Sequence, residues 1–228
     1  MSNTNNLMKK KSLNYGWVMV LVVFVLSGLA FGSMASISVF LKPISADFGW
    51  SRGATSLAYT VASLASAVFG VIWGIVADKH GTRWFGLVGA AAMTLCLYLL
   101  SAQTSLFQFY LLYFVYGALG GALLFSPLYA NVGFWFRDNP GLALGIAASG
   151  GAIGQAFIPH LSGYLIDSSG WQSAYVNLAL IYAAIAFPIA FLIKESPWRE
   201  SARDQLEPEP RTFPISEFSL IIESPSFI

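Results

Sequence analysis

Three formal charges and a histidine lie within six residues of this chain, in the stretch Asp78-Lys79-His80-Gly81-Thr82-Arg83. A carboxylate there can accept hydrogen bonds from a helix N-terminus, and a guanidinium can pair with a carboxylate on a neighbouring element. The segments on either side, residues 53–77 and 84–136, contain no Asp, Glu, Lys or Arg. A short charged turn between two apolar segments indicates a loop at a membrane surface, and its shortness predicts that the flanking helices are neighbours.

The composition also indicates a membrane protein. Of 228 residues, 56% are hydrophobic and 10% are charged, whereas soluble domains carry about 25% charged residues. The net charge of +1, with no basic patch outside the membrane flanks, gives no reason to expect nucleic acid as a partner. The single cysteine, Cys96, allows no internal disulfide and no metal-ligand set. We therefore expect no metal and no cofactor.

Six segments are long and apolar enough to cross a hydrocarbon core of about 30 Å, which takes about 20 residues as a helix. They predict an all-α membrane protein with spans at residues 16–41, 53–76, 84–101, 106–134, 141–166 and 172–193. Lys42-Pro43 is expected to end the first span, and Ser51 to cap the second. Polar turns at 101–105 and 167–170, and a charged loop at 137–141, separate the others.

The basic residues predict the orientation. With the N-terminus inside, ten of the 12 Lys and Arg residues lie on the inner face and only Lys42 and Arg52 lie outside, which agrees with the positive-inside rule. We expect a multi-pass protein of the cell membrane with both termini cytoplasmic. Residues 1–15 form a tail, 16–193 the helical bundle, and 194–228 a cytoplasmic linker that ends near the start of a missing seventh helix.

Residues 74–83, Gly-Ile-Val-Ala-Asp-Lys-His-Gly-Thr-Arg, resemble the loop Gly-x-x-x-Asp-(Arg/Lys)-x-Gly-x-(Arg/Lys) that the major facilitator superfamily carries between helices 2 and 3. Further motifs resemble its monocarboxylate and oxalate–formate branch. These are Asn14-Tyr15-Gly16-Trp17, Phe48-Gly49-Trp50-Ser51-Arg52, Trp135-Phe136, residues 141–147 and Gly170-Trp171. The resemblance covers residues 14–193.

This resemblance implies a secondary active transporter of small solutes, and not an enzyme. The implied substrates are small organic anions such as monocarboxylates, moved by alternating access. The implied fold is a twelve-helix carrier, of which this chain is similar to the N-terminal six-helix bundle, so its partners are the lipid bilayer and a C-terminal half missing from this chain. The implied gating cluster, which latches the cytoplasmic side, consists of Asp78, Lys79, Gly81, Arg83, Arg137 and Asp138.

The transport path implied by the family runs between helices 1 and 4. Tyr113, Tyr116 and Asn131 recur on one face of the fourth span. The full set of candidate cavity-lining residues is Ser27, Phe31, Ser38, Tyr113, Tyr116, Asn131 and His160. Each of three residues has an alternative role. Tyr113 is equally a candidate for the aromatic belt at the membrane surface, and Asn131 for a backbone cap. His160 is also a candidate for a half-buried histidine that hydrogen-bonds a neighbouring turn.

Small residues let membrane helices approach closely. The candidate helix-packing glycines are Gly117, Gly121, Gly145, Gly150, Gly151 and Gly154. Two interpretations remain for them: plain packing, or a sliding face used in alternating access.

One departure from the branch concerns the charge of the path. Proton-coupled monocarboxylate carriers have a lysine where this chain has Ala35, so the cation for an organic anion is expected from the other half. Two other classes of protein also contain several membrane spans. An intramembrane serine protease would need Ser149 and His160 in contact, yet 11 residues on one helix separate them by about 16 Å. A dimerising half-carrier or a non-transporting scaffold remains the alternative.

Overall fold

The computed structural model describes residues 2–136 and 139–198, with side chains from Tyr15 onward except that of Phe125. The described part is helical and contains no strand. Its helices are α1 (Ser2–Ala35), α2 (Ile37–Phe48), α3 (Arg52–His80), α4 (Arg83–Leu100), α5 (Leu106–Val115), α6 (Ala122–Trp135) and α7 (Pro140–Phe191). A π-helical segment, Tyr116–Gly121, joins α5 to α6 and is called the π turn below.

Five stretches of the described chain are long and apolar enough to cross a membrane. They correspond to α1 with α2, α3, α4, α5 through α6, and α7. The last is 52 residues long and contains non-helical backbone at Gly170, with φ 80° and ψ 163°. This φ is open to glycine and strained for other residues. The kink divides α7 into arms 140–169 and 171–191, which correspond to the fifth and sixth predicted spans.

Several predicted helix ends are confirmed. Ser51 is the N-cap of α3, and its Oγ accepts a hydrogen bond from the Ala54 N–H at 3.1 Å. The turn at 101–105 separates α4 from α5, and Ser105 caps α5 by accepting from the Gln108 N–H at 3.3 Å. Caps are set by local sequence, which is why single residues predict them.

The predicted end of the first span at Lys42-Pro43 is wrong. Pro43 lies inside α2, which continues to Phe48 and is followed by Gly49 with φ 67°. A proline inside a helix removes one backbone hydrogen bond. The neighbouring side chains Phe40 and Ile44 are both fully buried, so packing on each side of Pro43 outweighs that loss.

The two helices that flank the charged turn are neighbours only in part. Trp73 of α3 packs edge-on against Phe85 of α4, with ring centroids 6.1 Å apart. Beyond this contact α3 packs mainly along α5, the π turn and α6, whereas α4 packs mainly along α7. The expectation of paired helices therefore holds near the turn but not along their length.

The bundle has two ends with different aromatic clusters. The charged end holds Tyr15, Arg83, Trp135 and Lys194. The opposite end holds Phe48, which stacks on Trp50 at 4.5 Å and lies 5.9 Å from the Trp171 ring. There the Trp171 indole N–H donates to the Asp47 carboxylate, linking α2 to the 171–191 arm of α7.

Candidate functional site

The charged turn is built by the end of α3, two linking residues and the start of α4. Gly81 has φ 80°, and its N–H donates to the Ala77 carbonyl at 3.0 Å, which closes α3. This backbone conformation needs glycine. Asp78, Lys79 and Arg83 are exposed, while Gly81 is buried. The turn thus presents one carboxylate and two cations at the surface of the charged end, where another element can bind them.

The two remaining residues of the expected gating cluster, Arg137 and Asp138, lie outside the described residues. A pair between Arg83 and Asp138 therefore stays a prediction. What the structure does describe is the element before them: α6 ends at Trp135. The Trp135 ring lies 5.7 Å from Tyr15, so α6 ends at the charged end.

Asn131 does not face a cavity in the described structure. Its side chain is fully buried, its Nδ2 donates to the Lys194 carbonyl at 2.8 Å, and its Oδ1 accepts from the Ser196 N–H at 2.9 Å. These contacts correspond to the second interpretation of Asn131, a backbone cap. They hold residues 192–196, called the strap below, against the end of α6.

The strap has two further contacts with α1. The Tyr15 hydroxyl donates to the Leu192 carbonyl at 2.7 Å, and the Lys194 Nζ lies 4.5 Å above the Tyr15 ring. Ile193 and Ser196 are fully buried. The segment that was predicted to begin a linker at residue 194 is therefore packed against the bundle up to Ser196.

Both tyrosines of the predicted path are buried between helices. Tyr113 is 2% exposed and its hydroxyl lies 3.2 Å from that of Tyr175 in α7. The Tyr116 hydroxyl donates to the Ala30 carbonyl of α1 at 2.8 Å. A buried Tyr113 is not a membrane-belt residue. Both phenol groups form hydrogen bonds between helices of this bundle. That either tyrosine lines a transport path stays a prediction.

The other predicted lining residues are spread over the bundle. Ser27 is buried with its Oγ 3.0 Å from the Tyr129 hydroxyl, and Phe31 is half-buried. Ser38 of α2 is exposed and donates to the carbonyl of Ala35, the last residue of α1, at 2.8 Å. His160 is exposed rather than half-buried. It lines a groove of about 560 Å³ with Asp167 and Tyr164, between α2 and α7.

A second groove, between α3 and α6, was not predicted. Its volume is about 380 Å³, and the residues that line it are Ser66, Ala67, Gly70, Val71, Ala122, Ser126 and Tyr129. Three of these carry hydroxyl groups. Helical spacing is the sequence signal that could have found this groove. Ser66 and Gly70 are four residues apart, and Ser126 and Tyr129 are three apart, so each pair lies on one face of its helix.

A close helix crossing joins α1 to the 140–169 arm of α7 through four glycines. A Cβ added at Gly32 would lie 2.5 Å from the Gly154 carbonyl oxygen, and one at Gly28 would lie 3.0 Å from that of Gly150. Conversely, a Cβ added at Gly150 or Gly154 would overlap the backbone of α1. The α7 pair was among the predicted helix-packing glycines, whereas the motif Gly28-x-x-x-Gly32 that receives it was missed.

The remaining predicted glycines behave differently from one another. A Cβ at Gly117 would overlap the backbone of Ala62, and one at Gly151 would lie 2.7 Å from the Phe31 ring. Gly121 is buried within the π turn. A Cβ at Gly145 would meet nothing within 4 Å among the described residues. The expectation that Gly145 packs helices together is not met inside this bundle.

The geometry of a serine protease is absent from the described residues. Ser149 and His160 lie on the same arm of α7, and the Ser149 Oγ donates to the Ile146 carbonyl at 2.7 Å. This is the separation along one helix that the spacing predicts.

The fold and the turn define a multi-pass helical membrane protein with a charged turn between its second and third apolar stretches. The sequence model of the Major Facilitator Superfamily matches residues 20–228. The chain belongs to this superfamily.

Two monocarboxylate transporters and a riboflavin transporter are among the proteins that this chain is similar to. Monocarboxylate transporter 3 of Rattus norvegicus is 28% identical over 164 residues, covering 71% of this chain and 33% of that protein. Riboflavin transporter RibJ of Trypanosoma brucei brucei is 29% identical over 174 residues, covering 75% of this chain and 32% of that protein. Monocarboxylate transporter 11 of Mus musculus is 24% identical over 167 residues, covering 73% and 37%. The chain thus spans about a third of the length of these relatives.

Proposed function

We propose that this chain is the N-terminal half of a secondary active transporter of small solutes, and that these solutes are small organic anions such as monocarboxylates. The observation that carries the proposal is membership of the superfamily, with its charged loop on an exposed turn between α3 and α4. The similarity to monocarboxylate transporters supports the substrate class. Because the chain is also similar to a riboflavin transporter, the substrate class is the first part of the proposal to test.

The proposed mechanism is alternating access, in which two helical halves rock around a central site. The exposed turn of Asp78, Lys79 and Arg83 biases that equilibrium by pairing across the charged end. Exposed ion pairs contribute only about 0–1 kcal/mol each. Contacts this weak suit a latch that must form and break in every cycle.

The proposed C-terminal half supplies the positive charge that binds the anion. Its existence is supported by the length of the relatives, of which this chain covers 33% and 32% in two cases. The position where the branch carries a membrane lysine is Ala35 here. We therefore assign the positive partner of a transported anion to the C-terminal half. The proposed location is the cell membrane, with both ends of this chain on the cytoplasmic side.

Uptake measured in proteoliposomes tests this proposal. Vesicles that contain the complete carrier are given radiolabelled acetate, L-lactate, pyruvate, oxalate or riboflavin. Saturable uptake of at least one of the four acids supports the proposal. Uptake of riboflavin alone would overturn the substrate class, and uptake of none of the five would favour a scaffold.

The same assay separates a half from a dimerising half-carrier. Residues 1–228 expressed alone should insert but fail to transport, because polar groups at membrane depth lack the partner that covers them. Co-expression with the second half should restore uptake. Saturable uptake by residues 1–228 alone would instead favour the dimerising half-carrier.

A further inference from the structure

We infer that the groove between α3 and α6 is a substrate subsite, and that the Tyr129 hydroxyl donates a hydrogen bond there to a carboxylate oxygen of a small organic acid. This inference rests on the proposed function, since it names the part of the carrier that contacts the solute. The groove has a volume of about 380 Å³, at the lower end of the range for small-molecule sites.

The lining of the groove is polar in a membrane-spanning region. Ser66 and Tyr129 are half-buried and Ser126 is exposed, so three residues that carry hydroxyl groups line the same space. Polar groups at membrane depth face a bundle interior or a water-filled cavity rather than lipid. None of the residues lining the groove is charged. Such a surface binds an acid through hydrogen bonds and leaves its charge to be balanced from elsewhere in the carrier.

Tyr129 is held in place from behind by two other helices. Its hydroxyl lies 3.0 Å from the Ser27 Oγ of α1 and 3.4 Å from the Ala147 carbonyl oxygen of α7. Ser27 and Ala147 are both buried. When Ser27 donates to the phenol oxygen, the phenol proton remains for another acceptor, and its present acceptor is distant for an O–H···O bond.

A carboxylate is a better acceptor than this distant carbonyl. Hydrogen bonds to an ionised group are shorter and about twice as strong as neutral ones. The phenol of Tyr129 can therefore turn its proton to a bound acid without breaking its link to Ser27. The small residues Ala67, Gly70 and Ala122 leave the space beside it open, which admits acids of a few heavy atoms.

The first test compares Tyr129→Phe with the control Tyr98→Phe in the complete carrier. The first variant removes only the phenol oxygen, and the control removes one from a tyrosine of α4 that is 55% exposed. We expect Tyr129→Phe to raise the KM for radiolabelled acetate, L-lactate, pyruvate or oxalate, whichever is carried, by about tenfold. Maximal uptake should change less, and Tyr98→Phe should leave both unchanged.

The second test places a thiol in the groove. Ser126→Cys in a Cys96→Ala background should react with a membrane-impermeant methanethiosulfonate, and the transported acid should slow the reaction. Ser168→Cys, on the far part of the 140–169 arm, should react equally with and without acid. An unchanged KM in Tyr129→Phe, or a Ser126→Cys thiol that only lipid-soluble reagents reach, overturns the subsite while the transport proposal stands. No uptake of any acid by the unmodified carrier overturns both.

Discussion

The indole Nε1 of Trp73 donates a hydrogen bond to the backbone carbonyl of Ala118, at 2.7 Å. This bond joins α3 to the π turn, where the backbone departs from the α-helical hydrogen-bond pattern. π turns are rare and are frequently found at functional sites. Here the turn begins at the buried Tyr116 and leads directly into α6, which carries Tyr129, so its geometry sets the direction in which α6 faces.

Trp73→Phe should weaken the π turn, because it removes the indole donor while it keeps an aromatic ring. Interhelical hydrogen bonds in membranes contribute on average about 0.6 kcal/mol and at most about 1.7 kcal/mol. We expect a lower thermal midpoint in detergent and slower uptake at a similar membrane level. Trp84→Phe, at a tryptophan that is 70% exposed, is the control. Identical midpoints for both variants would show that the bond stabilises nothing.

Gly154→Val should destabilise the bundle, because the new side chain would overlap the Gly28 backbone of α1. Overpacking of a tight contact costs about 1–3 kcal/mol, and a chain of this size shifts by about 2–4 °C per kcal/mol. We expect a midpoint lower by about 5 °C and a reduced membrane level. Gly145→Val is the matched control, since a Cβ added there would meet nothing within 4 Å in the part of the chain that the structure describes. If Gly145→Val were the more damaging variant, the crossing would not be the main helix contact.

Asn131→Leu should release the strap, because it removes both bonds to the Lys194 carbonyl and the Ser196 N–H. Leaving buried backbone groups unpaired costs about 1–3 kcal/mol. Trypsin should then cut after Lys194 several times faster in membrane vesicles. Gln155→Leu, which changes an exposed amide on α7, should leave the cleavage rate unchanged. Equal cleavage in unmodified protein and Asn131→Leu would contradict the anchoring role.

Asp78→Asn should reduce uptake by the complete carrier about fivefold or more, which corresponds to a change of about 1 kcal/mol in the conformational equilibrium. Its membrane level should stay nearly unchanged, since the side chain is exposed at the surface of the bundle. Asp167→Asn, at an exposed carboxylate near the opposite end, is the control. Normal uptake by Asp78→Asn at equal expression would leave only an anchoring role for the turn.

Reporter fusions should place the two ends of the bundle on different sides of the membrane. Fusions after Gly49 and Gly170 are expected outside, and fusions after Arg83 and Lys194 inside, because ten of the 12 basic residues then lie on the inner face. Gly49 is preferred to Lys42 because Lys42 lies within α2. An Arg83 fusion found outside would contradict the orientation.

Local features of this protein were open to prediction from its residues. The helical bundle follows from long uncharged segments, since a backbone in lipid must satisfy its own hydrogen bonds. The cap at Ser51 and the turn at Gly81 follow from residue types with strong local preferences. The helix end predicted at Pro43 was wrong, because the burial of its neighbours outweighed the local preference of proline to end a helix.

Contacts between helices were decided by the tertiary structure. Lipid-facing and core-facing side chains are equally apolar, so hydrophobic periodicity does not tell which face of a membrane helix is buried. The receiving glycines Gly28 and Gly32 were missed for this reason. The sequence left two interpretations of Asn131 open, cavity lining and backbone cap, and its contact with the strap favours the second. The groove around Tyr129 likewise exists because α3 and α6 meet at residues that are about 60 positions apart in the chain. No local sequence preference predicts such a contact.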